Sequence, residues 1–357
     1  MLELHPIIME DLEQICAAGI SWDKLYGSTV LVTGAGGMIA SYLCYALLHL
    51  NDQRNAGITI IALVRNEQKA RRHFGAIVQR SDFRLLVQDV CAPVDTPDPI
   101  DYIIHAASQA SPRQFTADPV GTITANTVGT QRMLDLAVQK QSKAVLYLST
   151  REIYGQPVDD REFVDEEDYG VLNPVLVRSC YPESKRMAET LCMAYRHQYG
   201  LNSKVARIAH SYGPGMTIGD GRVMGDFIQC VLRGENIRMN SDGSTVLGVT
   251  YLSDLVVGLL MTLLQFEQAV YNISDDTAII TVKELAELLA SLYPEKRLAV
   301  ECVTVADGVK AGYLAHRVGL LRSGKARQEG WAPHTTVREG FRRTVEAAKQ
   351  LSEEVYA

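Results

Sequence analysis

No stretch of this chain reaches the roughly 18 uncharged apolar residues that a helix needs to span a bilayer. Its first residues carry Glu3, Glu10, Asp11 and Glu13 and lack a basic-then-apolar pattern, so no secretory signal is expected. Metal-ligand spacing and C-x-x-C pairs are also missing. The seven cysteines are scattered and odd in number, which reads as reduced, partly buried thiols of a cytoplasmic protein rather than a disulfide frame. There is no basic excess: a net charge of −7 argues against nucleic acid as a partner and leaves room only for a local phosphate pocket. Repeats, low-complexity tracts and disordered linkers are absent too. What is there is an ordinary globular balance, 47% apolar and 22% charged over 357 residues.

Strands and helices alternate through about residue 200, which predicts an α/β chain: a Rossmann-type doubly wound parallel sheet. Residues 28–208 form the expected dinucleotide-binding domain, and residues 209–357, where the alternation loosens, a smaller C-terminal substrate-binding lobe interleaved with it. Residues 1–27 precede the first strand. Leu12, Ile15 and Cys16 recur there at helical spacing, predicting a short helix from Met9 to Ala18 that packs on the body or on a partner subunit.

The first strand, Val30-Leu31-Val32, runs into Thr33-Gly34-Ala35-Gly36-Gly37-Met38-Ile39-Ala40 and a helix through Leu50. Gly34 and Gly37 suit a tight turn that brings backbone N–H groups, those of Met38 and Ile39 included, to a pyrophosphate at the helix start. Ala40 takes the third glycine's place, where only a small residue allows close helix–strand packing. Such a match alone is common; a strand before it and a helix after it make it specific. The second strand, Ile58 to Val64, ends in Arg65, where enzymes selecting NAD place an acidic residue. A guanidinium there can pair with a 2′-phosphate, so the cofactor is NAD or NADP; the alternative is a solvated arginine. Asp89, ahead of Val90, follows a third strand and can meet the adenine amine. Ala106, Ala107 and Ser108 close a fourth, where the backbone must pass near the cofactor. His105, among these alanines, reads as a satisfied structural histidine rather than a base.

A fifth strand ends in Ser149-Thr150-Arg151-Glu152, and Arg178-Ser-Cys-Tyr181-Pro-Glu-Ser-Lys185 opens a helix. Tyr181 and Lys185, four residues apart, share one helical face. An ammonium beside a phenol favours the phenolate and lowers the tyrosine pKa from about 10. Such a group can take a proton from a substrate hydroxyl held by Thr150 while hydride leaves the same carbon.

These motifs, with His105-Ala-Ala-Ser-Gln-Ala-Ser-Pro112, Asp118-Pro119, Asn126-Thr-Val-Gly-Thr130, Asn173-Pro174 and Lys185-Arg-Met-Ala-Glu189 in order, resemble the extended short-chain dehydrogenase/reductases that modify nucleotide sugars, most of all UDP-glucuronate decarboxylases. The resemblance runs from about Thr29 to Thr344 and weakens after Gly215. It implies a tightly held NAD(P) that oxidises the sugar at C4, with Tyr181 as base, Thr150 orienting the hydroxyl and Lys185 on the cofactor ribose. Glu152 matches a glutamate that acts near C5. The 4-ketone then permits decarboxylation, epimerisation or elimination before the hydride returns.

Departures fall on the substrate side. Arg151 stands where related enzymes carry Ser or Asp; an arginine cannot donate the proton that 4,6-dehydration needs. It can grip a carboxylate or phosphate, or pair with Glu152 or Asp165. His210 replaces an asparagine, Gly215 and Leu247 replace arginines, and Phe115 replaces a tyrosine that touches the sugar. Ser108, Arg151, His210, Arg222 and Arg317 are the candidate substrate contacts, with Arg322 an alternative. Two other readings stay open: a reductase that consumes NADPH on a carbonyl substrate, and a non-catalytic dinucleotide-binding protein. The helices Asn126–Gln139 and Pro182–Tyr199 carry Met133, Leu134, Met187, Leu191 and Tyr195 at helical spacing. Related enzymes pair such helices into a four-helix homodimer interface; burial within one subunit is the alternative.

Overall fold

The computed structural model of the chain describes residues 4–303 and 319–356, with side chains to residue 349. The chain opens with α1 (Pro6–Ala17), then β1 (Thr29–Thr33), α2 (Met38–Arg54), β2 (Thr59–Val64), α3 (Glu67–Phe74), β3 (Phe83–Val87) and β4 (Tyr102–His105). There follow α4 (Pro112–Ala117), α5 (Pro119–Lys140), β5 (Ala144–Thr150), β6 (Phe163–Val164), α6 (Cys180–Tyr199), β7 (Ser203–Ile208) and β8 (His210–Tyr212). The last third holds α7 (Val223–Arg233), β9 (Ile237–Met239), β10 (Val246–Tyr251), α8 (Leu252–Leu264), β11 (Val270–Ile273), β12 (Ile279–Thr281) and α9 (Val282–Leu292). It closes with β13 (Val300–Cys302), β14 (Leu320–Leu321), α10 (Gly324–Gln328) and α11 (Val337–Tyr356).

Seven parallel strands form one sheet in the order β11-β7-β5-β4-β1-β2-β3. Parallel strands need crossovers, and the helices that supply them bury both faces. One face packs α1, α2 and α8 through residues such as Leu12, Leu43, Leu47, Leu255 and Leu259. The other packs α5 and α6 through Met133, Leu134, Ala188 and Cys192. This is why β1 and β5 are buried at every residue and read as continuous apolar runs. The strand order reverses beside β1, and a crevice opens there at the strands' C-terminal ends.

The smaller lobe gathers α7, α9, α11, β9 and β10 around a core containing Phe227, Ile228, Leu285, Leu289 and Phe341. Residues after 208 do not all belong to it. β11 is an edge strand of the main sheet, and α8 with Trp331 packs in the main core. Leu247 is buried in the lobe's core, so a hydrophobic contact, not a phosphate, occupies that position.

Two starts differ from the sequence pattern for local reasons: α1 begins at Pro6 rather than Met9, where the proline fits a first helical position and His5 Nδ1 accepts from the Ile7 N–H at 3.2 Å. Helix α5 begins seven residues before Asn126, because Pro119 fits a first helical position and the Asp118 carboxylate accepts from the Gly121 N–H at 2.9 Å. The N-terminal helix packs on the body: Leu12, Ile15 and Cys16 enter the main core. Asp11, fully buried, accepts from the Tyr42 and Tyr251 hydroxyls at 2.7 and 2.8 Å and from Arg343 at 2.7 Å. A carboxylate taken from water to that extent requires such a set of donors.

All seven cysteines are free thiols, and only Cys302 is exposed. No helix among the described residues is long and apolar enough to cross a membrane. Among them, too, no three His, Cys, Asp or Glu side chains are placed to share a metal ion.

Candidate active site

The turn after β1 is shaped by close backbone approach. Gly34 has φ +64°, and a Cβ there would stand 2.8 Å from the Ala107 Cα, so only glycine fits. The Gly37 N–H donates to the Gly34 carbonyl at 2.9 Å, and Gly37 caps α2 without any side-chain hydrogen bond. The first N–H groups of α2, those of Met38 and Ile39 among them, therefore have no side-chain cap over them at the positive end of a 17-residue helix. Gly34, Arg65, Asp89, Val90, Ala107 and Ser108 line the crevice beside this turn. An uncapped helix start, a glycine cradle and a crevice of this kind fit a dinucleotide pyrophosphate.

Behind the turn, the hydrogen-bond chain fixes one tautomer. The Thr130 hydroxyl donates to the Asn126 carbonyl at 2.5 Å, so it accepts from His105 Nε2–H at 3.0 Å. His105 Nδ1 is then the acceptor for the Thr33 hydroxyl at 2.7 Å. The Thr33 oxygen in turn accepts the Ala106 and Ala107 N–H groups, each at 3.1 Å. Burial, reinforced by Lys185, pushes His105 down to about 3. It is a neutral structural histidine that splints β1 to the β4 end.

At the crevice edge the Arg65 side chain is exposed. Asp89 lies two residues past the end of β3 and spends one carboxylate oxygen on the Cys91 N–H at 2.8 Å.

Thr150 ends β5, one strand beyond β4, and Tyr181 and Lys185 lie in the first turns of α6. The Tyr181 ring stacks on Phe115 with centroids 5.2 Å apart, and Phe115 lies under the Arg178 guanidinium at 4.4 Å. Phe115 is thus buried behind the phenol and is not a wall of the site. The Lys185 Nζ donates to the Leu148 carbonyl at 2.8 Å and stands 5.9 Å from the Tyr181 ring centre. All three side chains are buried: Thr150, Tyr181 and Lys185.

The electrostatics differ from the sequence expectation. Burial raises the Tyr181 phenol above its usual value, and the Glu152 carboxylate adds to that; hydrogen bonding to Thr150 and the cations Arg178 and Arg222 draw it back. Burial drives Lys185 itself down to about 7, against the pull of Glu189, because desolvation opposes any charged form.

Arg151 has no close ion pair among the described residues with either acid the sequence offered, although the Glu152 charge still bears on it. The Glu152 carboxylate accepts from Arg178 at 2.8 Å, and Asp165 lies 3.9 Å from Arg322. Arg151 instead donates to His210 Nε2 at 3.2 Å, across 59 residues of sequence. Arg222 pairs with Asp220 at 2.6 Å and bears on both Tyr181 and His210. The Arg322 guanidinium lies over the Phe163 ring at 4.8 Å, beside β6. Arg317 lies outside the described residues. Ser108 keeps a buried hydroxyl without a hydrogen bond among the described residues at the crevice.

Arg178 is the site residue to which sequence reading gave no role. Its Nε and one Nη are buried without a hydrogen bond among the described residues, while the other Nη holds Glu152. Its spacing to Tyr181, three residues across a helix start, was the available signal.

Residues 30–274 match the model of the NAD dependent epimerase/dehydratase family. The chain is 34% identical to UDP-glucuronic acid decarboxylase 6 of Arabidopsis thaliana over 314 residues, 87% of this chain and 86% of that protein. It is 32% identical to UDP-glucuronic acid decarboxylase 1 of Danio rerio, over 89% and 72% of the two chains. Among solved structures, UDP-glucose 4-epimerase of Thermotoga maritima with UDP-glucose superposes with a TM-score of 0.75 at 23% identity, covering 91% of this chain and 99% of that one. UDP-glucuronic acid 4-epimerase of Bacillus cereus in complex with NAD gives 0.72 at 19% identity, covering 90% and 97%. At these identities the two structures establish the shared fold.

Proposed function

Because the chain belongs to the NAD dependent epimerase/dehydratase family, we propose that it modifies a nucleotide sugar through a C4-keto intermediate, by decarboxylation or epimerisation, with a nicotinamide dinucleotide held through the cycle. The observation that carries this reading is the meeting of Thr150, Tyr181 and Lys185 at the β5 end, on the same sheet as the glycine turn with β4 between them.

In this reading the Thr150 hydroxyl holds the sugar C4 hydroxyl against Tyr181, and Tyr181 takes its proton. Lys185, pinned by the Leu148 carbonyl, offers its remaining N–H groups to the dinucleotide ribose. When bound, the oxidised nicotinamide supplies the hydride acceptor and a positive charge that favours the phenolate. Once C4 is a ketone, C5 is acidified. A carboxylate on C5 can then leave as carbon dioxide, or C4 can be reduced again from its other face. Glu152, oriented by Arg178, stands beside the phenol for the proton movements that follow.

The dinucleotide is NAD or NADP: exposed Arg65 follows β2 and lines the crevice, at the position where enzymes that select NAD carry an acidic residue. The partner is a second copy of the chain. Val120, Ile123, Met187 and Tyr199 expose apolar surface on α5 and α6, whereas Met133 and Leu134 are buried within the subunit.

The test is incubation of the purified protein with UDP-, dTDP-, CDP- and GDP-sugars, UDP-glucuronate first, with no cofactor added. Product and a transient reduced-nicotinamide absorbance are expected; silence across the panel overturns the reading. Stoichiometric consumption of added NADPH by protein purified free of nucleotide would replace it with a reductase. Mass spectrometry of nucleotide released on denaturation decides between NAD and NADP, and light scattering at twice the chain mass is expected for the dimer.

A further inference from the structure

Lys185 is buried and forms no ion pair among the described residues. Glu189, four residues along α6, is the acid whose charge bears on it. Both Glu189 oxygens are spent on Arg207 of β7, and one also accepts from the Ser149 hydroxyl. What meets the ammonium directly is a carbonyl and an aromatic face. Nζ donates to the Leu148 carbonyl at 2.8 Å and stands over the Tyr147 ring, 4.7 Å from its centre; the Tyr181 ring centre is farther, at 5.9 Å. A ring face attracts a cation within about 6 Å, most strongly where water is excluded. Tyr147 is 1% exposed and Lys185 3%, so this contact is made out of water.

The alternation of β5 produces the arrangement. Successive side chains point to opposite faces of a strand, so Tyr147 and Ser149 face α6 while Leu146 and Leu148 enter the core on the other side. The Tyr147 hydroxyl has no hydrogen bond among the described residues; the ring is the part that makes contact. Its other polar neighbour is His105, with centroids 5.6 Å apart, which Thr33 and Thr130 hold uncharged. The titratable and charged groups around the ammonium are therefore Tyr181, Glu189 and Cys192 on α6, Tyr147 on β5, His105 on β4 and, behind Glu189, Arg207 on β7.

We infer that Tyr147 is a positioning residue of this site: its ring face holds the Lys185 ammonium charged and in place, leaving the free N–H groups to the dinucleotide ribose. The ligand named here rests on the nucleotide-sugar reading above; the contact between ring and ammonium does not. An aromatic face suits this position because it supports a cation without accepting a hydrogen bond from it, so no donor is diverted from the ligand. A carboxylate there would take one.

Lys185 supplies a readout that needs no substrate. Its depressed pKa makes stability rise with pH from about 7 upward. Without the ring the folded-state value falls further, so the rise begins at lower pH. Tyr147→Leu should move that onset about one pH unit toward acid in urea titrations, a roughly tenfold change in the protonation equilibrium. Tyr147→Met, which fills more of the space, should do the same; Tyr147→Phe keeps the face and should retain the wild-type onset. In a Lys185→Met background the three variants should no longer differ in onset. A displacement that survives there belongs to His105, and no displacement in either ring-less variant makes Tyr147 a packing residue; both results overturn the inference. Calorimetric titration with NAD is the second arm. At pH 7 the two ring-less variants should bind up to about fivefold more weakly than Tyr147→Phe, as the charged fraction of Lys185 falls from about a half to about a tenth, and the gap should close near about pH 5. Affinities that do not separate, or that separate equally at both pH values, overturn the inference. If the onset moves as expected while the wild type turns over no nucleotide sugar, the catalytic reading fails and the contact stands; turnover without the displacement does the reverse.

Discussion

The cofactor side and the substrate side of the cleft are built from the same kinds of residue and differ in whether a polar group left unmatched carries charge. Behind the glycine turn, Thr33, His105 and Thr130 pass hydrogen bonds from one to the next and on to the backbone at positions 106, 107 and 126. Beside that chain Ser108, Asn126 and Tyr147 each keep one buried, uncharged polar atom without a hydrogen bond among the described residues; across the cleft the unmatched groups are the Arg178 guanidinium, His210 and, beyond them, Tyr212. Buried polar groups left single cost stability. On the second side the unmatched atoms include two of a guanidinium, and a buried cation left with donors in reserve costs more than a neutral hydroxyl or amide oxygen.

Tyr181→Phe is the most severe test of which side does the chemistry. It should lower turnover by about 10³-fold with a melting temperature within a degree or two of wild type; retained turnover would move the proton transfer elsewhere. Next comes Lys185. Its pKa in the folded chain is about 7, below the 10.5 of a free lysine. Between those values the unfolded chain binds more protons than the folded one, so stability rises with pH across that window. The burial penalty is complete below pH 7 and gone above pH 10.5. Lys185→Met should accordingly gain several kcal/mol at pH 6, less the lost bond to Leu148, and the gain should shrink toward pH 10 in urea titrations.

Gly34→Ala forces a Cβ toward the Ala107 backbone at positive φ. A stability loss of about 1–3 kcal/mol, together with weaker NAD titration, is expected. Thr33→Val and Tyr212→Phe pose the comparison most directly. The first breaks a completed chain and should cost about 1–3 kcal/mol, while the second removes an unmatched hydroxyl and should fall within about 0.5 kcal/mol of wild type. Equal costs would dissolve the distinction between the two sides.

What sequence could reveal follows the range of the forces involved. The β1 turn and the start of α2 were legible because strand, glycines and helix are contiguous. Helix α3 was not, since its Glu-Gln-Lys-Ala-Arg-Arg-His run carries only Ala70 and Phe74 as buried residues and so has almost no apolar period. The place of β11 beside β7 is a long-range pairing that no local pattern encodes. Within the site, Tyr181 and Lys185 were readable from their spacing, but not the direction of their pKa shifts, because spacing carries no information on burial. The partner of Arg151 was missed for the opposite reason. Nearby acids in sequence invite an ion pair, and the fold gave those acids to Arg178 and Arg322.

The carboxylate of Asp11 meets its arginine 332 residues later, on the final helix. Without Arg343, Tyr42 and Tyr251 offer the buried acid hydroxyls but no charge. The seating of α1 against the dinucleotide half is thereby tied to a residue of α11, a helix whose Phe341 and Val345 belong to the smaller lobe, so the two halves of the molecule share one clasp.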